Sequence, residues 1–148
     1  METQNFDYLT DVETAARILT ANDYTCVLCK NGTIHTTTLR GVKPLVQWLE
    51  SGMDVRGFSA ADKVVGKATA FLYCLLGVKE VYAQVMSEGA LEVLRGHGVC
   101  ARYDTLVKHI VNRKGDGICP FEAAVWDITA PEEARTAILA KMKVMEIQ

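Results

Sequence analysis

The chain has 148 residues, 49% apolar and 23% charged, with 16 basic and 18 acidic residues and a formal net charge of −2. This is the composition of a globular domain, and we expect one domain over residues 1–148 with a substantial core. No run of basic residues suggests a nucleic-acid partner, and the apolar runs are too short to span a membrane.

The N-terminus and the cysteines indicate the compartment. The first seven residues are polar and acidic, unlike the basic and then apolar start of a secretion signal. Five cysteines, an odd number, favour free thiols in a reducing environment. We therefore expect a cytoplasmic protein. Cys26 and Cys29 form a C-x-x-C motif, but residues three apart on a strand point to opposite faces, so they are not expected to share a metal.

The first half of the chain predicts a helix, a hairpin and a short helix. Asp11 is a candidate cap for a helix over residues 11–22. Strands are predicted over 24–30 and 33–39, joined by Asn31-Gly32, the preferred pair for a two-residue type I′ turn. A short helix or turn over 45–49 is ended by Ser51-Gly52.

The main helix is predicted over residues 60–76, ending at Gly77. Its apolar positions recur at helical spacing and are Val64, Val65, Ala68, Phe71, Leu72, Leu75 and Leu76. Asp62 and Lys63 would then lie in the first turn of a buried helix, where charged groups are costly unless they are paired or used. A glycine inside a helix, Gly66, indicates close packing. The alternative is that Asp62 only interacts with the helix dipole and that Lys63 extends to water.

The second half predicts a strand over 80–86, a helix capped by Ser87 and ending near 95, and a strand over 99–103. Residues 105–111 are ambiguous between strand and helix. A capping-box pattern from Thr129 to Glu132 precedes a closing helix over 133–143. This order predicts a mixed sheet with helices on both faces.

A second polar cluster follows the last predicted strand. Pro120 favours the first position of a helix, which would place Cys119 at its N-cap, where a thiolate is stabilised. Glu122 would cap the turn or act as an acid or base. Arg113 would bind an anion or pair with Glu122, and in the latter case the pair only closes a loop.

Three runs, over 61–68, 87–90 and 112–122, resemble an uncharacterised prokaryotic family known only as a domain of unknown function. The resemblance covers residues 8–140. It implies a three-layer α/β cytidine-deaminase-like fold, with a mixed sheet of four to five strands and helices on both faces. It also implies that the helix starts near Asp62 and Ser87 face one cleft, where two helix N-termini would favour an anion.

Zinc deaminases of that fold carry His-x-Glu and Pro-Cys-x-x-Cys at two helix starts. Here those places read Asp62-Lys63-Val64 and Ser87-Glu88-Gly89-Ala90, without histidine or cysteine. We therefore expect no metal and no cofactor.

The sequence thus predicts a metal-free polar cleft that binds or transforms a small anionic or nucleotide-like molecule. The alternative is a non-catalytic ligand-binding or regulatory module, and a homodimer is a common default for such proteins. Lys63 would stabilise negative charge, and Glu122 or Asp62 would move protons. The catalytic candidates are Asp62, Lys63, Cys119 and Glu122, and the ligand-binding candidates are Ser87, Glu88, Asn112 and Arg113.

Overall fold

The computed structural model describes residues 9–147. The N-terminal segment interpreted above, the first seven residues, lies outside the described residues. In chain order the elements are α1 (Asp11–Ala21), β1 (Cys26–Lys30), β2 (Thr33–Thr37), α2 (Lys43–Ser51), β3 (Ser59–Val65), α3 (Lys67–Leu76), β4 (Glu80–Ser87), α4 (Glu88–Gly96), β5 (Cys100–Val107), α5 (Pro120–Ala124) and α6 (Pro131–Ile147).

The five strands form one mixed sheet in the order β2-β1-β3-β4-β5. Strand β1 is antiparallel to both β2 and β3, whereas β3, β4 and β5 are parallel. The predicted hairpin is confirmed: Lys30 pairs with Thr33, and Asn31 and Gly32 between them have positive φ angles of 48° and 84°. A type I′ turn requires such angles at both central residues.

Helices cover both faces of the sheet, which confirms the predicted three-layer architecture. On one face, Ala15 and Leu19 of α1 pack against Val27, Cys29 and Ala61. The other face carries the larger core, formed with α2, α3, α4 and α6. Cys26 belongs to this larger core and Cys29 to the smaller one, so the two thiols lie on opposite faces, as predicted.

The first part of the predicted 60–76 helix is wrong. Residues 59–65 form β3, the central strand, which pairs with β1 on one side and β4 on the other. Ser59, Ala60, Ala61 and Asp62 are all buried, because both faces of this strand are covered, and such a strand lacks the alternation of a half-exposed one. Helix α3 begins at Lys67, and Gly66 is its extended N-cap rather than an interior residue.

Smaller differences have local causes. Thr10, not Asp11, caps α1, through a capping box with Glu13. Strand β5 continues through Val107 and so includes the first part of the ambiguous segment. Helix α6 extends beyond the predicted closing helix at both ends.

None of the helices within residues 9–147 combines the length and apolar character needed to cross a bilayer.

Candidate functional site

Two helix N-termini lie side by side where the parallel strands β3 and β4 end. Helix α4 is capped as predicted, since Ser87 Oγ accepts a hydrogen bond of 3.1 Å from Ala90 N. Helix α3 begins after Gly66, and no side chain caps its first turn. The two first turns are in contact, because a Cβ added to Gly89 would meet Lys67 Cδ at 3.4 Å. A helix N-terminus carries partial positive charge and free amides, so this end of the sheet attracts acceptor groups.

The short helix α5 brings Glu122 to this position. As predicted, Cys119 is the N-cap of α5 and Pro120 occupies its first turn. The Glu122 side chain is 2% exposed, and its Oε2 accepts a hydrogen bond of 3.2 Å from Ile110 N. Its Oε1 is also buried and has no hydrogen-bond partner in the described part of the chain.

Glu122 lies directly against Gly66. A Cβ built on Gly66 would be 2.5 Å from Glu122 Oε2 and 2.9 Å from Ile110 Cγ1. No Cβ fits at those distances, so glycine at this position is explained by the approach of a buried carboxylate. The sequence predicted a close approach at Gly66, and the structure identifies the group that makes it.

A pocket of about 250 Å³ opens beside these groups. We call it the Glu122 pocket; its lining residues are Lys67, Glu88, Gly89, Glu92, Lys108, Glu122 and Trp126. Lys67 Nζ donates a hydrogen bond of 2.6 Å to the carbonyl oxygen of Trp126, whose side chain is 49% exposed. The lining includes two lysines and three glutamates, so its formal charge is −1.

Asp62 and Lys63 do not lie at a helix start. Because they are neighbours on β3, their side chains lie on opposite sides of the sheet. Lys63 is 42% exposed and its Nζ is 3.7 Å from Asp23 Oδ1. Neither residue lines the Glu122 pocket. The prediction that both belong to the first turn of a helix is therefore wrong.

Asp62 instead belongs to a buried polar group. Tyr73 Oη donates a hydrogen bond of 2.6 Å to Asp62 Oδ2, and Val64 N donates one of 3.2 Å to Oδ1. Cys26 Sγ lies 3.0 Å from the same tyrosine oxygen. Burial raises the pKa of Asp62 from 3.8 to about 7, although these hydrogen bonds act in the opposite direction. Burial, followed by the Asp62 charge, also raises the pKa of Tyr73 and of Cys26.

The loop between β5 and α5 is held by its own residues. Asn112 Nδ2 donates to Asp116 Oδ1 at 2.9 Å, and Asp116 N donates back to Asn112 Oδ1 at 3.1 Å. Arg113 is exposed in this loop. The alternative in which Arg113 pairs with Glu122 to close a loop is not present within residues 9–147, since the bond to Glu122 comes from Ile110 N.

The structure thus assembles part of the predicted site and adds four residues to it. Glu88 and Glu122 line the pocket, and Ser87 caps the helix beside it. Lys67, Glu92, Lys108 and Trp126 were not predicted. Lys67 had a signal in the sequence, since it directly follows a glycine at the start of an apolar helical pattern. The others come from distant segments and depend on the tertiary fold.

The chemistry available here is that of polar side chains. Within residues 9–147, no three His, Cys, Asp or Glu side chains are grouped so as to hold a metal ion. The Glu122 pocket is lined by two lysines and by Glu122, whose Oε1 makes no hydrogen bond within residues 9–147. These groups can bind a polar molecule and can accept a proton or stabilise a charge on it.

Comparison with known structures gives a strong similarity. It is to the crystal structure of a DUF1893 family protein from Thermotoga maritima, with a TM-score of 0.78 and 28% identity over 84% of this chain and 85% of that one. A dCMP deaminase from the cyanophage S-TIM5 matches with a TM-score of 0.43 and 17% identity, over 62% of this chain and 92% of the other.

A third structure is the diaminohydroxyphosphoribosylaminopyrimidine deaminase/5-amino-6-(5-phosphoribosylamino)uracil reductase of Thermotoga maritima. It matches with a TM-score of 0.41 and 15% identity over 68% of this chain and 33% of that protein. No curated protein sequence matches the chain. The family model for DUF1893, a domain of unknown function, matches residues 14–142. The resemblance found in the sequence is therefore confirmed, and the chain belongs to the DUF1893 family.

Proposed function

We propose that this protein binds a small polar molecule, of nucleotide type or smaller, in the Glu122 pocket. The observation that carries the proposal is that Glu122 lines an open pocket while its buried Oε1 has no hydrogen-bond partner in the described part of the chain. Buried polar atoms in folded proteins are almost always hydrogen-bonded. A bound molecule would supply the bond that the described part of the chain leaves unmade.

The rest of the pocket supports a ligand with an anionic end. Two lysines, Lys67 and Lys108, line this space. The positive charge and N–H donors of lysine favour a phosphate or carboxylate. The half-exposed Trp126 ring at the rim offers a flat surface for an aromatic group. A nucleoside monophosphate has both of these features and therefore serves as a probe for them.

Tryptophan fluorescence tests this proposal. The chain has two tryptophans, so Trp48→Phe leaves Trp126 as the only reporter. We expect saturable changes in Trp126 emission on titration with at least one of the common nucleoside monophosphates, and a matching rise in melting temperature. The control is Trp126→Phe, in which the emission of Trp48, outside the pocket, stays constant. If emission and melting temperature are unchanged with the whole set, the proposal is wrong.

Binding and turnover can be separated with the same molecules. A nucleotide that binds is incubated with the protein and analysed by chromatography. If it is converted, and Glu122→Gln removes conversion in a folded protein, Glu122 acts in a reaction. If it is recovered intact, the alternative of a non-catalytic binding or regulatory module is supported.

A further inference from the structure

We infer, on the basis of the binding site proposed above, that the ligand group which reaches Glu122 is a positively charged nitrogen donor. Amidinium, guanidinium and protonated amino groups belong to this class. The anionic end of the ligand then lies toward Lys108, away from the buried carboxylate.

The first argument is the direction of the missing hydrogen bond. Glu122 Oε2 is used by Ile110 N, and Oε1 remains without a donor. An ionised carboxylate only accepts hydrogen bonds, so its partner must carry an N–H or O–H group. A phosphate or carboxylate oxygen at this position would face another acceptor, and the two would repel each other.

The second argument is charge. Within residues 9–147 no lysine, arginine or histidine forms a salt bridge with Glu122. The lysine that begins α3, Lys67, directs its Nζ to the Trp126 carbonyl instead. A buried carboxylate is costly without a compensating cation, and the lining as a whole is negative. A cationic group on the ligand supplies the compensation that the chain does not.

The third argument is space. Glu122 is held between Ile110 and Gly66, and a single Cβ at Gly66 would collide with it. The side chain therefore has little freedom to turn toward a distant partner. The pocket of about 250 Å³ that Glu122 lines admits a small planar group, which has to come to the carboxylate.

Isosteric probes of opposite charge test the inference. Benzamidine and benzoate have nearly the same shape, but the first presents N–H donors and positive charge and the second presents acceptors and negative charge. Benzamide is the neutral member of the series. We expect calorimetric titration of the wild-type protein to give binding about tenfold or more tighter for benzamidine than for benzoate, as a charge-assisted hydrogen bond predicts.

Glu122→Gln provides the decisive variant, because it keeps the size of the side chain. Its amide oxygen can still accept from Ile110 N, which turns the NH₂ group toward the position of Oε1. The preference should then reverse, with benzoate bound more tightly than benzamidine. Glu132→Gln removes the same charge from an exposed residue of α6 that does not line the pocket, and should keep the wild-type preference. Thermal melts establish that both variants are folded.

The outcomes separate this inference from the proposed function. Tighter binding of benzoate by the wild type, or no reversal in folded Glu122→Gln, overturns the inference, while nucleotide binding at Trp126 would still stand. An equal loss of preference in Glu132→Gln also overturns it, because the effect would then come from overall charge. If neither the probes nor the nucleotides bind, both proposals are wrong.

Discussion

Tyr73 on α3 and Asp62 on the central strand β3 form a buried hydrogen bond of 2.6 Å. Cys26, on the neighbouring strand β1, contacts the same hydroxyl group. The three side chains connect α3, β3 and β1 inside the larger core. Because the carboxylate is buried without a cationic partner nearby, its protonation is coupled to folding.

The first prediction concerns pH and Asp62. The unfolded chain releases this proton near pH 3.8, whereas the folded protein holds it until about pH 7. Between these values the folded state binds more protons than the unfolded state, so Asp62 makes stability fall as the pH rises, with no further loss above about pH 7. Burial also raises the pKa of Tyr73 and Cys26, so neither group ionises in this range.

Asp62→Asn removes this titration and keeps the shape. We expect the variant to be more stable than the wild type at pH 8, by up to about 4 kcal/mol, since one pKa unit corresponds to about 1.4 kcal/mol. The difference should shrink toward zero as the pH falls to about 4. Urea unfolding at several pH values measures it. A difference in unfolding free energy between variant and wild type that does not change with pH would contradict the prediction.

Tyr73→Phe gives the second prediction. It removes the side-chain donor to Asp62 Oδ2 and leaves a buried oxygen unsatisfied, which costs about 2–3 kcal/mol of unfolding free energy. The matched control is Tyr82→Phe, which removes an exposed hydrogen bond to Asp104 and should cost less than about 1 kcal/mol. Equal losses in the two variants would show that burial of the first bond does not matter.

Local signals in the sequence were sufficient where a turn or cap determines the structure. Asn31-Gly32 specified its hairpin, Ser87 capped its helix, and the order Cys119-Pro120 marked the start of α5. Each of these depends on backbone geometry within a few residues, which is why no tertiary information was needed.

The central strand could not be recognised in the same way. Buried small residues at 60 and 61 remove the polar–apolar alternation, and the apolar pairs that follow also fit a helical face. Asp62 and Lys63 were therefore placed on the wrong element. The contact between Glu122 and Gly66 joins positions 56 residues apart, and no local pattern specifies it.

Cysteine accessibility provides a third prediction. The sequence placed Cys119 at a helix N-cap, where a thiolate is stabilised, and the structure adds Cys100, which is exposed at the start of β5. Burial raises the pKa of Cys74 to about 11 and raises the pKa of Cys26 and Cys29. Because the thiolate is the reactive form, we expect iodoacetamide at neutral pH to label Cys100 and Cys119 well before the others.

Peptide mapping by mass spectrometry after timed quenching measures the order. Labelling in denaturant is the control, and all five cysteines should then react at similar rates. Early labelling of Cys26 or Cys29 in the native protein would contradict the burial of β1 between the two cores.

Two lysines near the end of β3 provide a matched pair. Lys63→Met removes an exposed ion pair with Asp23 and should change the unfolding free energy by less than about 1 kcal/mol. Lys67→Met keeps the aliphatic stem but removes the donor to the Trp126 carbonyl, so we expect a shift in Trp126 emission and a loss of about 1 kcal/mol. If Lys63→Met changes Trp126 emission and Lys67→Met does not, the assignment of Lys67 rather than Lys63 to the Glu122 pocket is wrong.

The last prediction concerns the glycine on which the pocket depends. Gly66 has a φ of −95°, which any residue can adopt, so Gly66→Ala tests only the space around it. The new Cβ would lie 2.5 Å from Glu122 Oε2 and 2.9 Å from Ile110 Cγ1, and the carboxylate would have to move away from Ile110 N. We expect a loss of about 1–3 kcal/mol in unfolding free energy, the usual cost of overpacking, together with loss of ligand binding.

Gly89→Ala is the matched control in the first turn of α4. Its Cβ would meet only the flexible Lys67 side chain, at 3.4 Å, so the helix should keep its stability or gain up to about 1 kcal/mol. Melting curves and calorimetric titration of the two variants with benzamidine make the comparison. If Gly66→Ala is as stable as Gly89→Ala and binds the probe equally well, Glu122 is not confined against Gly66, and the pocket would have to be described without it.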